Sequence, residues 1–349
     1  MDLAPVSIEG IAATLAEASA GRRALRVVGG GTRSRRGVPG PEADTLSVAG
    51  LDAVLEHSPA DLTVTVQAGV PVERLGEVLA GAGQMWPQAD VRPGSTVGGV
   101  LATAASGRGR LRYGAVRDSL LEVVLATGDG RVVKGGARTV KAVSGYDIPR
   151  LAVGSMGTLG VIVQATLKLW PIPEARAWFA ARGDLDERLD RAARVLGSIN
   201  RPAAVLLSPD RLSVELTGTA ADVVAPEGLS PAGPPEEPGG RGIVEVGVPP
   251  RRAADLVGAL EREKRGYLAE LGTGRVTVAV TTADDVRLVR GLAAAGDGHA
   301  WVADGPEDLR ADPDLAWGPP PPGVAIMRRL KSVFDPCGIL NAGHYVDGI

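Results

Sequence analysis

Residues 26–36 read RVVGGGTRSRR: a short apolar run, three consecutive glycines, two hydroxyl side chains and interleaved arginines. Val27 and Val28 suit the end of a strand. Gly29, Gly30 and Gly31 can take positive φ angles and turn several backbone N–H groups toward one anion. Thr32 and Ser34 add hydroxyl donors, and Arg33, Arg35 and Arg36 can oppose the charge of a diphosphate, Arg33 being the best placed for direct contact. The same stretch also suits a basic surface turn, so its flanks must decide. A Rossmann turn needs a helix starting at the glycines. Here Ser34 stands where the third glycine would be, and residues 34–50, SRRGVPGPEADTLSVAG, hold two prolines and no helical period.

The 349 residues are 44% hydrophobic, enough for a two-domain globular protein. Thirty-eight basic against 41 acidic residues give a formal charge of −3, and aromatics are 3% of the chain. Neither feature offers a general attraction to nucleic acid or an anionic membrane, so an anion site must be local. A single cysteine, Cys337, cannot hold an iron–sulfur cluster or a cysteine-rich zinc site, and no metal is expected. Residues 1–15 lack a basic region before an apolar core, and every apolar run is broken by charge or glycine. A reducing, cytoplasmic setting without direct membrane insertion is the expectation, with any contact to the inner face of the membrane made through partners.

Along the chain, Ile8, Ile11, Leu15 and Ala18 mark a helix behind Ser7 as N-cap, and residues 24–28 a strand. Strands are expected at 45–48, 54–57 and 63–67, and a helix from Pro71 to Leu79. A second glycine-rich stretch follows: Pro93, Gly94, Ser95 and Thr96 make a turn, Gly98 and Gly99 permit close backbone approach, and residues 100–105 are small. It suits either ligand contact or tight helix–strand packing. Residues 120–127 and 131–134 read as a hairpin. A third block, residues 140–162, ends in an alternating strand closed by Pro171 and Pro173. Beyond it the texture is α+β: helices are expected at 185–196, near 252–264 and near 284–295 and strands at 205–207, 212–216, 243–248 and 275–280, with loops at 224–242 and 304–323 and a final helix at 326–333.

Three glycine-rich blocks in this order, the α+β segment and the tail DPCGILNAGHYVDGI resemble the FAD-binding fold shared by vanillyl-alcohol oxidase and p-cresol methylhydroxylase. Residues 114–162 are similar to the smaller FAD-binding subunits of bacterial glycolate oxidases, with Gly145, Tyr146, Asp147, Leu151, Gly154, Ser155, Gly157, Leu159 and Gly160 on one pattern. The resemblance implies an α+β protein: an FAD domain of two subdomains (1–173), a smaller α+β cap, ferredoxin-like being one candidate form (174–322), and a C-terminal segment returning to the FAD domain (323–349). It implies that Gly29, Gly30, Gly31, Thr32, Arg33 and Ser34 hold the FAD pyrophosphate. Pro93, Gly94, Ser95, Thr96, Gly98 and Gly99 would line the cofactor, Gly157, Gly160, Val161 and Ile162 would meet it through backbone groups, and Asn341 would return to the flavin region. It further implies a small 2-hydroxy acid substrate and partners, namely a larger FAD subunit and an iron–sulfur subunit.

The departures from the family bear on the chemistry. Relatives that bond FAD covalently carry a histidine just after the glycine loop, where this chain has Thr32, Arg33 and Ser34, so noncovalent FAD is expected. Hydroxy-acid dehydrogenases of this fold usually read GSEGT where Gly154, Ser155, Met156, Gly157 and Thr158 stand. Of their histidine-rich metal motif only Gly296, Asp297, Gly298 and His299 are present. Asn-Pro-Gly-Lys has become Asn341, Ala342, Gly343, His344. Hydroxy-acid oxidation needs a base and a cation for the carboxylate beside the flavin. His299, His344 and Arg117 are candidates, each with a structural alternative. A noncatalytic relay or assembly subunit and a stand-alone flavin alcohol oxidase are therefore alternative readings.

Overall fold

The computed structural model describes residues 1–90, 92–138, 146–198 and 201–349; residues 140–145 of the third block, Gly145 among them, lie outside the described residues. The Ile8–Ala20 helix is capped by Ser7, whose Oγ accepts from Gly10 N at 3.0 Å, and ends at Gly21. Its face of Ile11, Leu15 and Ala18 is fully buried against Leu25, Leu46, Val163 and Leu340. Beneath it lies a small parallel sheet in the order Asp2–Leu3, Asp44–Ser47, Leu25–Val28. The chain leaves this sheet at Val28 directly into the glycines, and turns rather than a helix follow, with Ser34 N donating to Gly31 O and Arg36 N to Arg33 O.

Next to it stands an antiparallel five-stranded sheet, in the order Val54–Ser58, Thr63–Gln67, Val161–Lys168, Leu120–Ala126, Val132–Gly136. The Val72–Ala80 and Val97–Ala102 helices bury Leu75, Leu79, Val100 and Leu101 against Val64, Val66, Ala165 and Leu167. The small residues around Gly98 serve this packing: a Cβ on Gly98 would lie 2.7 Å from Ala68 Cβ.

The cap is one antiparallel eight-stranded sheet, in the order Ser230–Ala232, Ala175–Ala181, Leu212–Gly218, Ala204–Leu207, Tyr267–Glu270, Arg275–Val280, Gly242–Gly247, His299–Asp304. From residue 242 the elements run β-α-β-β-α-β, the order of the ferredoxin-like motif. Alternation assigns the faces. Val214, Val244, Val246, Val276 and Val278 pack under the Leu185–Leu196, Ala253–Arg262 and Ala283–Ala295 helices. Glu215, Glu245, Arg275 and Thr277 alternate with them and line a cavity on the opposite face.

Three of these strands, Ala175–Ala181, Tyr267–Glu270 and His299–Asp304, fall where the sequence pattern gave no strand. The stretch expected as a loop at 224–242 contains the edge strand Ser230–Ala232. Only an edge tolerates its Pro231, which has no N–H to give the ladder. After the Val324–Phe334 helix the chain crosses back to the N-terminal sheet: Leu25 N donates to Ile339 O at 2.7 Å and Asn341 N to Leu25 O at 2.9 Å.

Candidate FAD-binding site

A cleft of about 480 Å³ opens where the glycine loop, the Val97–Ala102 helix, residues 156–162 and the returning C-terminal segment meet. Gly29, Gly30, Gly31, Thr32, Arg33, Ser34, Thr96, Gly98, Gly99, Gly157, Gly160, Ile162 and Asn341 all line it. Pro93, Gly94, Ser95 and Val161 do not. Val161 is buried in the core under the first helix, and Ser95 is a buried tie between loops.

The first two glycines are needed for close approach. A Cβ on Gly30 would fall 1.7 Å from Gly94 O, and one on Gly29 2.2 Å from Thr96 Oγ1. Gly31 differs: its φ is +68°, with no atom nearer than Val28 Cγ1 at 3.9 Å. The backbone N–H groups of Gly30, Gly31, Thr32 and Arg33 donate to no protein atom among the described residues. Such a run of open donors at a turn suits an anion.

The guanidinium of Arg33 is committed elsewhere. It donates to Asp90 Oδ2 and Asp90 O, both at 2.8 Å, to Ser95 Oγ at 3.1 Å and to Thr32 Oγ1 at 3.2 Å. It thereby pins the first glycine loop to the second. The cationic lining comes instead from Arg26 and Arg310, neither of which has a carboxylate within ion-pair distance among the described residues. Arg310 is fixed by donating to Gly305 O at 3.1 Å and Gly37 O at 3.2 Å. Arg26 stands in the opening sequence stretch but on the strand rather than among the glycines. Arg310 comes from the proline-rich segment 304–323, where no local pattern marks it.

Asn341 closes the opposite wall. Its Oδ1 accepts from Val27 N at 2.9 Å, and its Nδ2 donates to Met156 O at 2.7 Å. Both Asn341 (φ +43°) and Met156 (φ +55°) hold left-handed backbone, strain that their mutual hydrogen bond retains at the cleft. Behind them Lys331 Nζ donates to Thr158 O, Leu340 O and Asp335 Oδ2, and Asp335 accepts from Ile339 N and Leu340 N. This buried cluster holds the C-terminal segment in register.

The three catalytic candidates are not brought together. His344 lines the cleft, its Nδ1 2.7 Å from Val38 O, and burial together with Arg310 and Arg26 holds its pKa below the ordinary imidazole value. His299 is exposed on the far edge strand of the cap and stacks on Trp301. Arg117 is exposed and lies 3.8 Å from Asp118. Among the described residues no group of histidine, cysteine and carboxylate side chains could hold a metal, and no helix is long and apolar enough to cross a membrane.

The unpartnered N–H run, the left-handed glycine and the two unpaired arginines fit a diphosphate-bearing cofactor. Comparison with known proteins agrees in kind. Residues 2–136 match the FAD binding domain family, and residues 315–345 match the C-terminal domain of FAD linked oxidases. The chain is 38% identical over 152 residues to glycolate oxidase subunit GlcD of Bacillus subtilis, covering 43% of this chain and 31% of that protein. It is 34% identical over 151 residues to glycolate oxidase subunit GlcE of Escherichia coli, covering 43% of each. D-lactate dehydrogenase [cytochrome] 1, mitochondrial, of Saccharomyces cerevisiae is 37% identical over 125 residues, 36% of this chain and 21% of that one. The matched stretch thus spans less than half the length of these relatives. A solved structure of alkyldihydroxyacetonephosphate synthase superposes over 97% of this chain and 75% of its own, with a TM-score of 0.68 at 15% identity, a likeness of fold. The chain thus contains an FAD binding domain over residues 2–136 and a stretch of the C-terminal domain of FAD linked oxidases over residues 315–345, on an α+β fold shared with that synthase.

Proposed function

We propose that the chain is a noncovalent FAD-binding subunit of an oxidoreductase acting on CH–OH donors of the 2-hydroxy acid class, glycolate among them, and that it passes electrons to partner subunits. The observation that carries the proposal is the cleft itself: open N–H donors from Gly30 to Arg33 facing Arg26 and Arg310 across one lining. In this reading those N–H groups hold the pyrophosphate, and Arg26 and Arg310 neutralise it. Asn341 and Gly157 shape the wall through backbone contacts, and a Cβ on Gly157 would press within 2.7 Å of Asn341 Nδ2. Bound flavin would supply the hydride acceptor. The partners proposed are the larger FAD subunit and iron–sulfur subunit that the resemblance of residues 114–162 implies, and the likeness to glycolate oxidase subunits GlcD and GlcE supports a place in a multi-subunit assembly.

A second reading, a relay subunit without its own substrate chemistry, is favoured by a specific observation. His299 and Arg117 stand away from the cleft, and His344 is tied to Val38. Among the described residues the three candidates do not converge, and the one imidazole beside the unpaired Arg26 and Arg310 has its Nδ1 engaged by Val38 O. The test is purification of the chain alone, a visible spectrum, acid precipitation of one portion, and anaerobic addition of glycolate or D-lactate to another, untreated portion. Yellow colour released into the supernatant supports noncovalent FAD. Bleaching by a hydroxy acid supports the catalytic reading, and colour that bleaches only with partner subunits present supports the relay. Colourless protein overturns both.

A further inference from the structure

A second cavity, about 1170 Å³, lies between the cap sheet and the FAD domain. The Arg33–Asp90 ion pair stands between the two spaces: Arg33 lines the cofactor cleft and Asp90 the cavity. Trp86, Tyr113 and Trp178 supply aromatic walls, and the polar face of the cap sheet supplies charge.

That charge is already matched. Arg275 Nε lies 3.0 Å from Glu245 Oε1, and Arg275 Nη1 lies 3.1 Å from Glu270 Oε1 while donating to Ser106 O at 2.7 Å. Arg36 Nη2, 3.8 Å from Glu245 Oε2, brings this four-membered group to neutrality. Arg176 is bonded to Glu215, Arg108 lies 2.6 Å from Glu237, and Arg92 lies 3.4 Å from Asp90 and 3.5 Å from Asp304. Every arginine lining the cavity therefore has a resident carboxylate among the described residues.

An incoming free carboxylate would have to compete with a buried glutamate for the same guanidinium and leave that glutamate uncompensated. The site already disfavours its own second anion, since burial raises the Glu270 pKa above the ordinary carboxylate value despite Arg275. Hydroxyl groups meet no such obstacle. Carboxylate oxygens accept their protons, and flat aromatic faces cover their C–H surfaces.

We propose that the cap cavity takes an uncharged, hydroxyl-bearing ligand, a polyol or sugar-like alcohol, and that Glu245 and Glu270 set this specificity by caging Arg275 against free carboxylates. The inference rests on the proposed function only in assigning any carboxylate-bearing donor of the assembly to the partner subunit.

Calorimetric titration of the full chain, as purified, with xylitol and with D-lactate tests it. Xylitol is expected to bind, and D-lactate to bind at least about tenfold more weakly. Glu270→Gln is expected to raise D-lactate affinity about tenfold and so to narrow the preference for xylitol, because it frees one side of Arg275. Glu245→Gln provides the same readout should the first variant fail to fold. Tighter binding of D-lactate than xylitol by the unsubstituted chain, no binding of either, or an unchanged preference in both variants would overturn the proposal. Flavin content is read separately: colourless protein that still binds xylitol refutes the FAD assignment and leaves the cavity inference standing.

Discussion

Gly30 and Gly31 are neighbours of the same residue type in the same loop, yet the structure gives them different tasks, and substituting each by alanine separates those tasks. A Cβ on Gly30 would lie 1.7 Å from Gly94 O and 2.9 Å from Gly94 C, both backbone atoms. To reach even a tight 3.0 Å contact the two loops must part by about 1.3 Å, the difference between those distances. That movement would disturb the Arg33 bonds to Asp90 and Ser95 that hold the loops together. Overpacking against backbone costs more than about 3 kcal/mol when nothing can rotate away. FAD affinity is then expected to fall more than about 100-fold, since each 1.4 kcal/mol is roughly tenfold. Gly31→Ala meets open space, its nearest neighbour being Val28 Cγ1 at 3.9 Å, and loses only the ease of φ +68°. A left-handed alanine costs roughly 1–2 kcal/mol, which corresponds to an affinity loss of roughly 5- to 30-fold. Titration of apoprotein with FAD, followed by flavin fluorescence, measures both variants side by side. A Gly30→Ala protein that binds FAD as tightly as Gly31→Ala would refute the packing argument, whatever its melting temperature.

Other perturbations probe the walls of the cleft. Asn341→Ala removes the partners of Val27 N and Met156 O and is expected to destabilise the protein by about 2–4 kcal/mol, seen in urea denaturation, with FAD affinity falling alongside. Lys331→Met leaves Asp335 buried without its cation, at a cost of about 3–5 kcal/mol, and Lys331→Met with Asp335→Leu should recover part of that loss in the same denaturation assay. His344 has a folded-state pKa below its unfolded value because burial and nearby arginines disfavour the imidazolium. The unfolded state therefore binds the extra proton, and stability should decline as pH falls through the unfolded value near 6.5. The melting temperature of His344→Gln should drop less than that of the unsubstituted chain between pH 7.5 and about 5.5, and an equal drop would remove His344 from the account.

Legibility of the fold in the sequence followed local periodicity. The Leu185–Leu196 helix and the Thr63–Gln67 and Arg275–Val280 strands are bounded as the pattern places them, because each carries a clean period and its own punctuation. The His299–Asp304 strand was hidden by its start in a glycine turn, GDGH, which draws attention to the histidine instead of to Ala300 and Val302, the residues that pack inward. Tyr267–Glu270 is buried on both faces, four residues without alternation, so nothing local distinguishes it from a loop. Its strand character comes from pairing with Ala204–Leu207 on one side and Arg275–Val280 on the other.

The candidate cleft was legible where backbone forms it and illegible where distant side chains do. Gly29 and Gly30 are legible as positions of close approach, because a Cβ there would meet Thr96 Oγ1 and Gly94 O, and Gly31 as a position of left-handed backbone. The role of Arg33 could not be read in the same way. Its distance from the glycines in sequence suggests phosphate contact, whereas its charge is used on Asp90, a residue 57 positions away. The unpaired positive charge lining the cleft belongs to Arg26, on the strand that leads into the glycines, and to Arg310, delivered by a segment that looks featureless in sequence. A charged residue's function thus depends on which partner reaches it first in the folded chain. The caging of Arg275 by Glu245 and Glu270 makes the same point in the cap, where an arginine that would read as a carboxylate anchor is already bound from within.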